Sequence, residues 1–193
     1  MALRGTRAVA IGASWGGVEA SIKIISRLPV DFPVPVFLAQ HQRYESESRL
    51  ARVLASRSHC PVLAPEDKEP VREGHIYVAP PGYHMLVDRS GLISLSCHWP
   101  VFYSRPSIDE LFFSVGHVYG GGALAILLTG ANEDGAAGLR YIHQRGGVTV
   151  AQDPSTAEAS MMPQAGIDTG CVDHIMSLQE IGDFLLRYVA GRG

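Results

Sequence analysis

Short apolar runs alternate along this chain with stretches in which apolar residues recur every three or four positions. Residues 7–13 form a compact apolar run closed by Gly12, which reads as a buried strand. Val18, Ile22, Ile25 and Leu28 follow at helical spacing and predict a helix to about Leu28. A second apolar run, 34–40, ends at Gln40-His41. Leu50, Val53, Leu54 and Arg57 predict a second helix, with its start in the Ser46/Ser48 region. Residues 60–64 read as a short strand. Runs at 75–79, 83–87 and 92–96 follow, the last two separated by Asp88-Arg-Ser-Gly91, which signals an antiparallel hairpin.

The second half continues the alternation. Ser107-x-x-Glu110 is a capping box that opens a helix ending at Gly120-Gly-Gly122. Residues 123–129 are the most apolar run and predict a central strand. Leu139, Ile142 and Gly146 outline the next helix, 148–151 a strand and 172–176 the last strand. A second capping box, Ser177-x-x-Glu180, starts a closing helix to about Val189. Met161-Met162-Pro163 reads as a turn with core contacts. The whole is an α/β pattern: a doubly wound, mostly parallel, Rossmann-like sheet with helices on both faces and one hairpin excursion. No repeat or linker divides it, so residues 1–193 read as one domain.

Composition narrows the class. The chain has 193 residues, 46% hydrophobic and 18% charged, in the range of a globular domain with a sizeable core. A net charge of −3 and a pI near 6.2 give no basic stripe for nucleic acid and no polybasic membrane anchor. No apolar run is long enough to cross a bilayer, and no signal-type stretch follows the N-terminus. Three scattered cysteines without a Cys-x-x-Cys fit reduced thiols in a cytoplasm. His59-Cys60 and Cys97-His98 match no common metal spacing, and neither a metal nor a cofactor is expected.

The candidate chemistry lies where strands end. Gly12-x-Ser14-x-Gly16-Gly17 sets a hydroxyl at the carboxyl end of the first strand, with a helix start aimed at the same spot. Such a serine is either a nucleophile or the filler of a phosphate-binding loop. Open parallel sheets bind ligands at this edge, and right-handed crossovers keep the strand-end loops together there. The second strand ends at His41 and the most apolar strand leads to the loop holding Asp134. Serine, histidine and aspartate are the types a nucleophilic hydrolase needs: the imidazole takes the hydroxyl proton and the carboxylate orients the imidazole. The order Ser…His…Asp differs from that of α/β-hydrolases.

With these residues in place, the chain resembles the catalytic domain of the chemotaxis protein-glutamate methylesterases (CheB-type). The resemblance is carried by Ile11-Gly-Ala-Ser-Trp-Gly-Gly17, Gln40-His41, Tyr77-Val-Ala-Pro-Pro81, Ser104-Arg-Pro-Ser-Ile-Asp109, Leu128-Thr-Gly-Ala-Asn-Glu-Asp-Gly-Ala136, and Gln152-Asp-Pro followed by Met162-Pro163. It implies a Ser14–His41–Asp134 triad that hydrolyses γ-glutamyl methyl esters on the cytoplasmic helices of chemoreceptors, releasing methanol, and allows glutamine deamidation. Oxyanion or substrate contacts are expected from Ala131, Gly130, Trp15, Gly16, Met162 and Arg105; Arg105 either belongs to a plain helix entry or steers an acidic receptor segment. Trp15 stands where the family usually has threonine and Ala131 where it often has methionine. Full-length members carry an N-terminal receiver domain; none is read here, and a separate receiver domain is a candidate partner.

Other readings stay in view. Ser14 fits a plain glycine-rich turn, His41 a hydrogen-bonded strand end, Asp134 a helix cap, and Asn132 and Glu133 turn residues. Gly12-x-Ser14-x-x-Gly17 approaches a dinucleotide fingerprint but has serine at its second glycine, and the second strand lacks a terminal acid. A receptor-binding module without activity is the third reading.

Overall fold

The computed structural model describes residues 7–42 and 49–189. A seven-stranded sheet of order β3-β4-β2-β1-β7-β8-β9 forms its centre, with every pairing parallel. Its strands are β1 (Ala8–Ala13), β2 (Val36–Gln40), β3 (Val62–Leu63), β4 (Ile76–Val78), β7 (Ala123–Leu127), β8 (Val148–Gln152) and β9 (His174–Met176). The hairpin of β5 (His84–Val87) and β6 (Ile93–Ser96) stands apart as an antiparallel pair. Its turn is built as the sequence suggests: Asp88 Oδ1 accepts from the N–H groups of Ser90 and Leu92, and Gly91 takes φ +77°.

Period-two alternation sorts the sheet residues between two cores. Val9, Ile11 and Ala13 face α1 (Gly17–Ile25), α2 (Leu50–Ala55) and α6 (Leu178–Val189) through Ile24, Leu54, Ile181 and Leu185. Ala8 and Ala10 face the opposite core with Ile108, Phe112, Leu139 and Met162 from α3 (Ile108–Tyr119), α4 (Ala136–Gln144) and α5 (Met161–Asp168). The small alanines let those helices lie close to the sheet. No described helix is long and apolar enough to cross a membrane.

Three sequence expectations need correction. β7 lies beside the middle strand, which is β1; both are fully buried, and strand order rather than apolarity decides which is central. Residues 161–163 open the helix α5 instead of forming a turn. Pro163 is tolerated there because the first turn's N–H groups have no intrahelical acceptor. The capping box at Ser107 is only half formed. Ser107 Oγ accepts from Glu110 N–H at 3.3 Å, but the Ser107 N–H donates to His84 Nδ1 at 3.1 Å. The box at Ser177 is complete, with Ser177 N–H to Glu180 Oε2 at 2.8 Å and Glu180 N–H to Ser177 Oγ at 3.4 Å. The Ser46/Ser48 start of α2 lies outside the described residues.

Candidate active site

Strand order reverses between β1 and β7, because the chain first lays β2, β3 and β4 on one side of β1, with β4 inserted between β2 and the edge strand β3, and then continues on the other side with β7. The crevice outside the carboxyl ends of β1 and β7 is therefore the switch point of the sheet. Ser14 follows β1, His41 follows β2 and Asp134 lies in the loop after β7. Parallel register aligns the ends: Ala13 pairs with Gln40, and Gly12 with Leu127.

The three side chains meet there. Ser14 Oγ lies 3.1 Å from His41 Nδ1, and His41 Nε2 lies 2.8 Å from Asp134 Oδ2. A carboxylate accepts only, so Nε2 carries the proton and Nδ1 is left to accept from the serine hydroxyl. The ring is thus used in the opposite sense to the chymotrypsin-type triad, where Nε2 faces the serine. The His41 side chain is 9% exposed and that of Asp134 is 0% exposed, so their hydrogen bond is shielded from water.

The start of α3 holds the carboxylate. Asp134 Oδ1 accepts from Ser107 Oγ at 3.0 Å and from Asp109 N–H at 2.9 Å, while Oδ2 also accepts from Ile108 N–H at 2.7 Å. These are the unpaired donors of a helix N-terminus, and the helix dipole adds to their attraction for a negative charge. Two glycines make the approach possible. A Cβ on Gly12 would lie 2.2 Å from Ile108 Cγ2, and one on Gly135, which has φ +98°, would lie 2.7 Å from the same atom.

The nucleophile turn is braced from below. Gln40 Nε2 donates to the Ser14 carbonyl at 2.7 Å and to the His41 carbonyl at 3.1 Å, tying the backbones of both residues together. Thr129 Oγ1 donates to the Trp15 carbonyl at 2.9 Å. Position 15 brings no side-chain hydroxyl to His41, and Gln40 ties the Ser14 and His41 backbones at a fixed spacing. The Trp15 side chain points outward at 66% exposed. Among the described residues, the N–H groups of Trp15, Gly16 and Ala131 donate to no acceptor. Gly16 takes φ +75° at the cap of α1.

Three of the residues expected to contact substrate are occupied otherwise. The Gly130 N–H donates to the Ala159 carbonyl at 3.0 Å, so it is not available to an oxyanion. Met162 is 0% exposed and sits behind the loop, where a Cβ on Gly130 would come 2.5 Å from its Sδ; the exposed member of the pair is Met161. Arg105 Nη1 donates to the carbonyls of Cys97 and His98 at 2.6 and 2.9 Å and pins the segment before Pro106. Arg105 bonds within its own β6–α3 connection, whereas for Gly130 and Met162 local sequence does not reveal the partner, because it comes from a distant part of the chain. The same holds for Gln40, Ser107, His84 and Asp109, which sequence patterns do not assign to the site.

The phosphate-loop reading of the first turn does not fit this arrangement. The Glu158 side chain packs over Gly16, with Oε2 2.6 Å and Cβ 2.7 Å from where a Cβ would stand, and fills the space that a bulky phosphate would need at the α1 start. No set of residues suited to a metal occurs among the described residues.

Comparison with known proteins identifies the family and the fold. A family model described as CheB methylesterase matches residues 9–185. The chain belongs to the CheB methylesterase family. It is 40% identical over 184 residues to a protein-glutamate methylesterase/protein-glutamine glutaminase of Archaeoglobus fulgidus, covering 94% of this chain and 53% of that protein. It is 37% identical over 184 residues to the enzyme of that name in Clostridium acetobutylicum, covering 95% and 53%. A Leptospira interrogans protein provisionally given the same name is 39% identical over 180 residues, with 93% of each chain covered. The chain thus spans nearly all of one relative and about half the length of the other two. The crystal structure of the Thermotoga maritima CheB methylesterase catalytic domain superposes with a TM-score of 0.90 at 30% identity, covering 94% of this chain and 98% of that one. The chain thus has the family and the fold of the CheB methylesterases, with the mostly parallel sheet expected from its sequence.

Proposed function

We propose that Ser14, His41 and Asp134 are the catalytic triad of a protein-glutamate methylesterase. The observation that carries this reading is the continuous line from Ser14 Oγ through both His41 nitrogens to Asp134, at 3.1 and 2.8 Å. Ser14 Oγ attacks the ester carbonyl carbon as its proton passes to His41 Nδ1. Asp134 holds the Nε2 proton and stabilises the imidazolium. The N–H groups of Trp15, Gly16 and Ala131, which meet no acceptor among the described residues, are the candidate donors for the oxyanion. The imidazolium then protonates the methoxy leaving group, methanol departs, and a glutamyl ester of Ser14 remains. Water, deprotonated by His41, attacks that ester, releasing the glutamate carboxylate and restoring Ser14. On a glutamine side chain the same steps expel ammonia.

The substrate in this reading is a methylated protein segment, chemoreceptor cytoplasmic helices in the first place, met in the cytoplasm. Residues 1–193 act as one catalytic domain, and a receiver domain is a further partner. The test is methanol release from methylated receptor membranes. Ser14→Ala is expected to lower the rate on the order of 10⁴-fold or more while leaving the circular dichroism spectrum unchanged. Parent-like methanol release from Ser14→Ala removes the triad assignment.

A further inference from the structure

A second buried carboxylate stands beside Asp134 and takes no part in the steps above. Asp109 is 5% exposed, in the first turn of α3. Its Oδ1 accepts from the N–H groups of Gly135 at 3.0 Å and Gly138 at 2.7 Å, which open α4. Its own N–H donates to Asp134 Oδ1 at 2.9 Å. Each aspartate therefore caps the other's helix: Asp134, just before α4, binds the start of α3, and Asp109, at the start of α3, binds the start of α4. The exchange fixes the Asp134–Gly135 peptide from both sides.

We propose that Asp109 is a positioning residue of the esterase, acting through this reciprocal cap to hold the Asp134 carboxylate against His41 Nε2. The inference rests on the triad reading and deepens it. The contact between the helices is tight enough to transmit a displacement, since a Cβ on Gly138 would lie 2.5 Å from Phe112 Cβ and 3.1 Å from Asp109 Oδ1. Burial pushes the Asp109 carboxyl up to about 6. The Gly138 and Gly135 N–H groups oppose that rise, and the negative charges of Asp134, on the facing loop, and Glu110, on its own helix, add to it. His41 stands beyond Asp134, and His84 beyond Ser107. Asp109 is thus a negative charge at neutral pH, one residue removed from the imidazole.

The test is steady-state methyl-ester hydrolysis by Asp109→Asn and Asp109→Ala against pH. Asparagine keeps an acceptor oxygen for the two glycine N–H groups and drops the charge; alanine drops both. The expected losses in kcat are about tenfold for Asp109→Asn and about 100-fold for Asp109→Ala, with KM within about twofold, as for a group that supports a reacting residue without touching substrate. The acid limb of kcat/KM moves to lower pH in Asp109→Asn, because a negative charge favouring the imidazolium is gone. Placed on Asp134→Asn, Asp109→Asn costs less than about twofold more.

A folded Asp109→Asn with the parent kcat and acid limb overturns the proposal, as does a loss confined to KM or one that multiplies fully with that of Asp134→Asn. Should the Asp109 variants not fold, the Asp109 ¹³Cγ resonance is followed against pH in the parent and in Asp134→Asn. The proposal requires a lower midpoint once the Asp134 charge is removed; an unchanged midpoint overturns it. Activity surviving in Ser14→Ala strikes the triad reading, whereas an inert Ser14→Ala beside a parent-like Asp109→Asn strikes this inference alone.

Discussion

The two ends of the proposed triad are built on opposite terms. At the carboxylate end, Asp134 is 0% exposed and both oxygens accept two hydrogen bonds each. At the nucleophile end, Ser14 is only half-buried, its neighbour Trp15 projects into solvent, and N–H groups of the turn find no acceptor among the described residues. The orienting group is fully satisfied, so its position is over-determined. The reacting group is left with vacant donors beside it, so that charge developing on a substrate oxygen is the acceptor they lack. Preorganisation of this kind puts hydrogen-bonding energy into the transition state instead of the resting enzyme.

Substitutions at the two ends should therefore differ in kind. Breaking the line at Asp134 comes first. Asp134→Asn places an amide N–H against donors already aimed at that site and favours the wrong imidazole tautomer, so kcat should fall by about 10³- to 10⁴-fold, read as methanol release with the fold checked by circular dichroism. Next is the brace under the nucleophile. Gln40→Ala frees the Ser14 and His41 carbonyls together; about a tenfold loss in kcat/KM is expected, with about 1–2 kcal/mol of stability by denaturant titration.

Ser107→Ala removes one donor from Asp134 and the cap of α3, with an expected cost of about 1 kcal/mol and a loss of kcat within about tenfold. Smallest is Trp15→Ala. The backbone of that residue is held by Thr129 and its ring is exposed, so kcat should stay within about twofold and any change should appear in KM. A Trp15→Ala variant as damaged as Gln40→Ala would break the contrast between a free rim and a braced turn.

Stability against pH sharpens the same contrast at the buried end. The Asp109 carboxyl is raised to about 6 in the folded state, chiefly by burial, so between the ordinary aspartate range and that value the native protein binds more protons than the unfolded chain. Its contribution to stability is fully present below the ordinary range, falls as pH rises through that window, and is constant above it. Asp109→Asn should flatten this decline in pH-dependent thermal melts; a decline as steep as the parent's would assign it to other groups.

The residues of the proposed triad are largely legible in the sequence. Ser14, His41 and Asp134 each follow an apolar strand, and the topology of parallel sheets brings such positions to one edge. The residues that hold them are not. Asp109 and Gln40 stand in the sequence only as members of the motifs that carry the family resemblance, with no role attached to either. Their roles lie in partners 25 to 29 positions away for Asp109 and 26 for Gln40 with Ser14, and no local pattern encodes those pairings. Gly130 and Met162, expected at the substrate from the motifs they belong to, make their own contacts into the protein.

The sequence by itself determined the alternation of strands and helices, the two-faced burial of the sheet and the chemical types at its carboxyl edge, because hydrophobic periodicity and glycine-bearing turns act over a few residues. Only the tertiary structure decided which imidazole nitrogen faces the serine, which N–H groups remain without an acceptor, and that two aspartates exchange helix caps. Those outcomes depend on distances between elements far apart in the chain, set by how closely α3 and α4 can approach the sheet at Gly12 and Gly135.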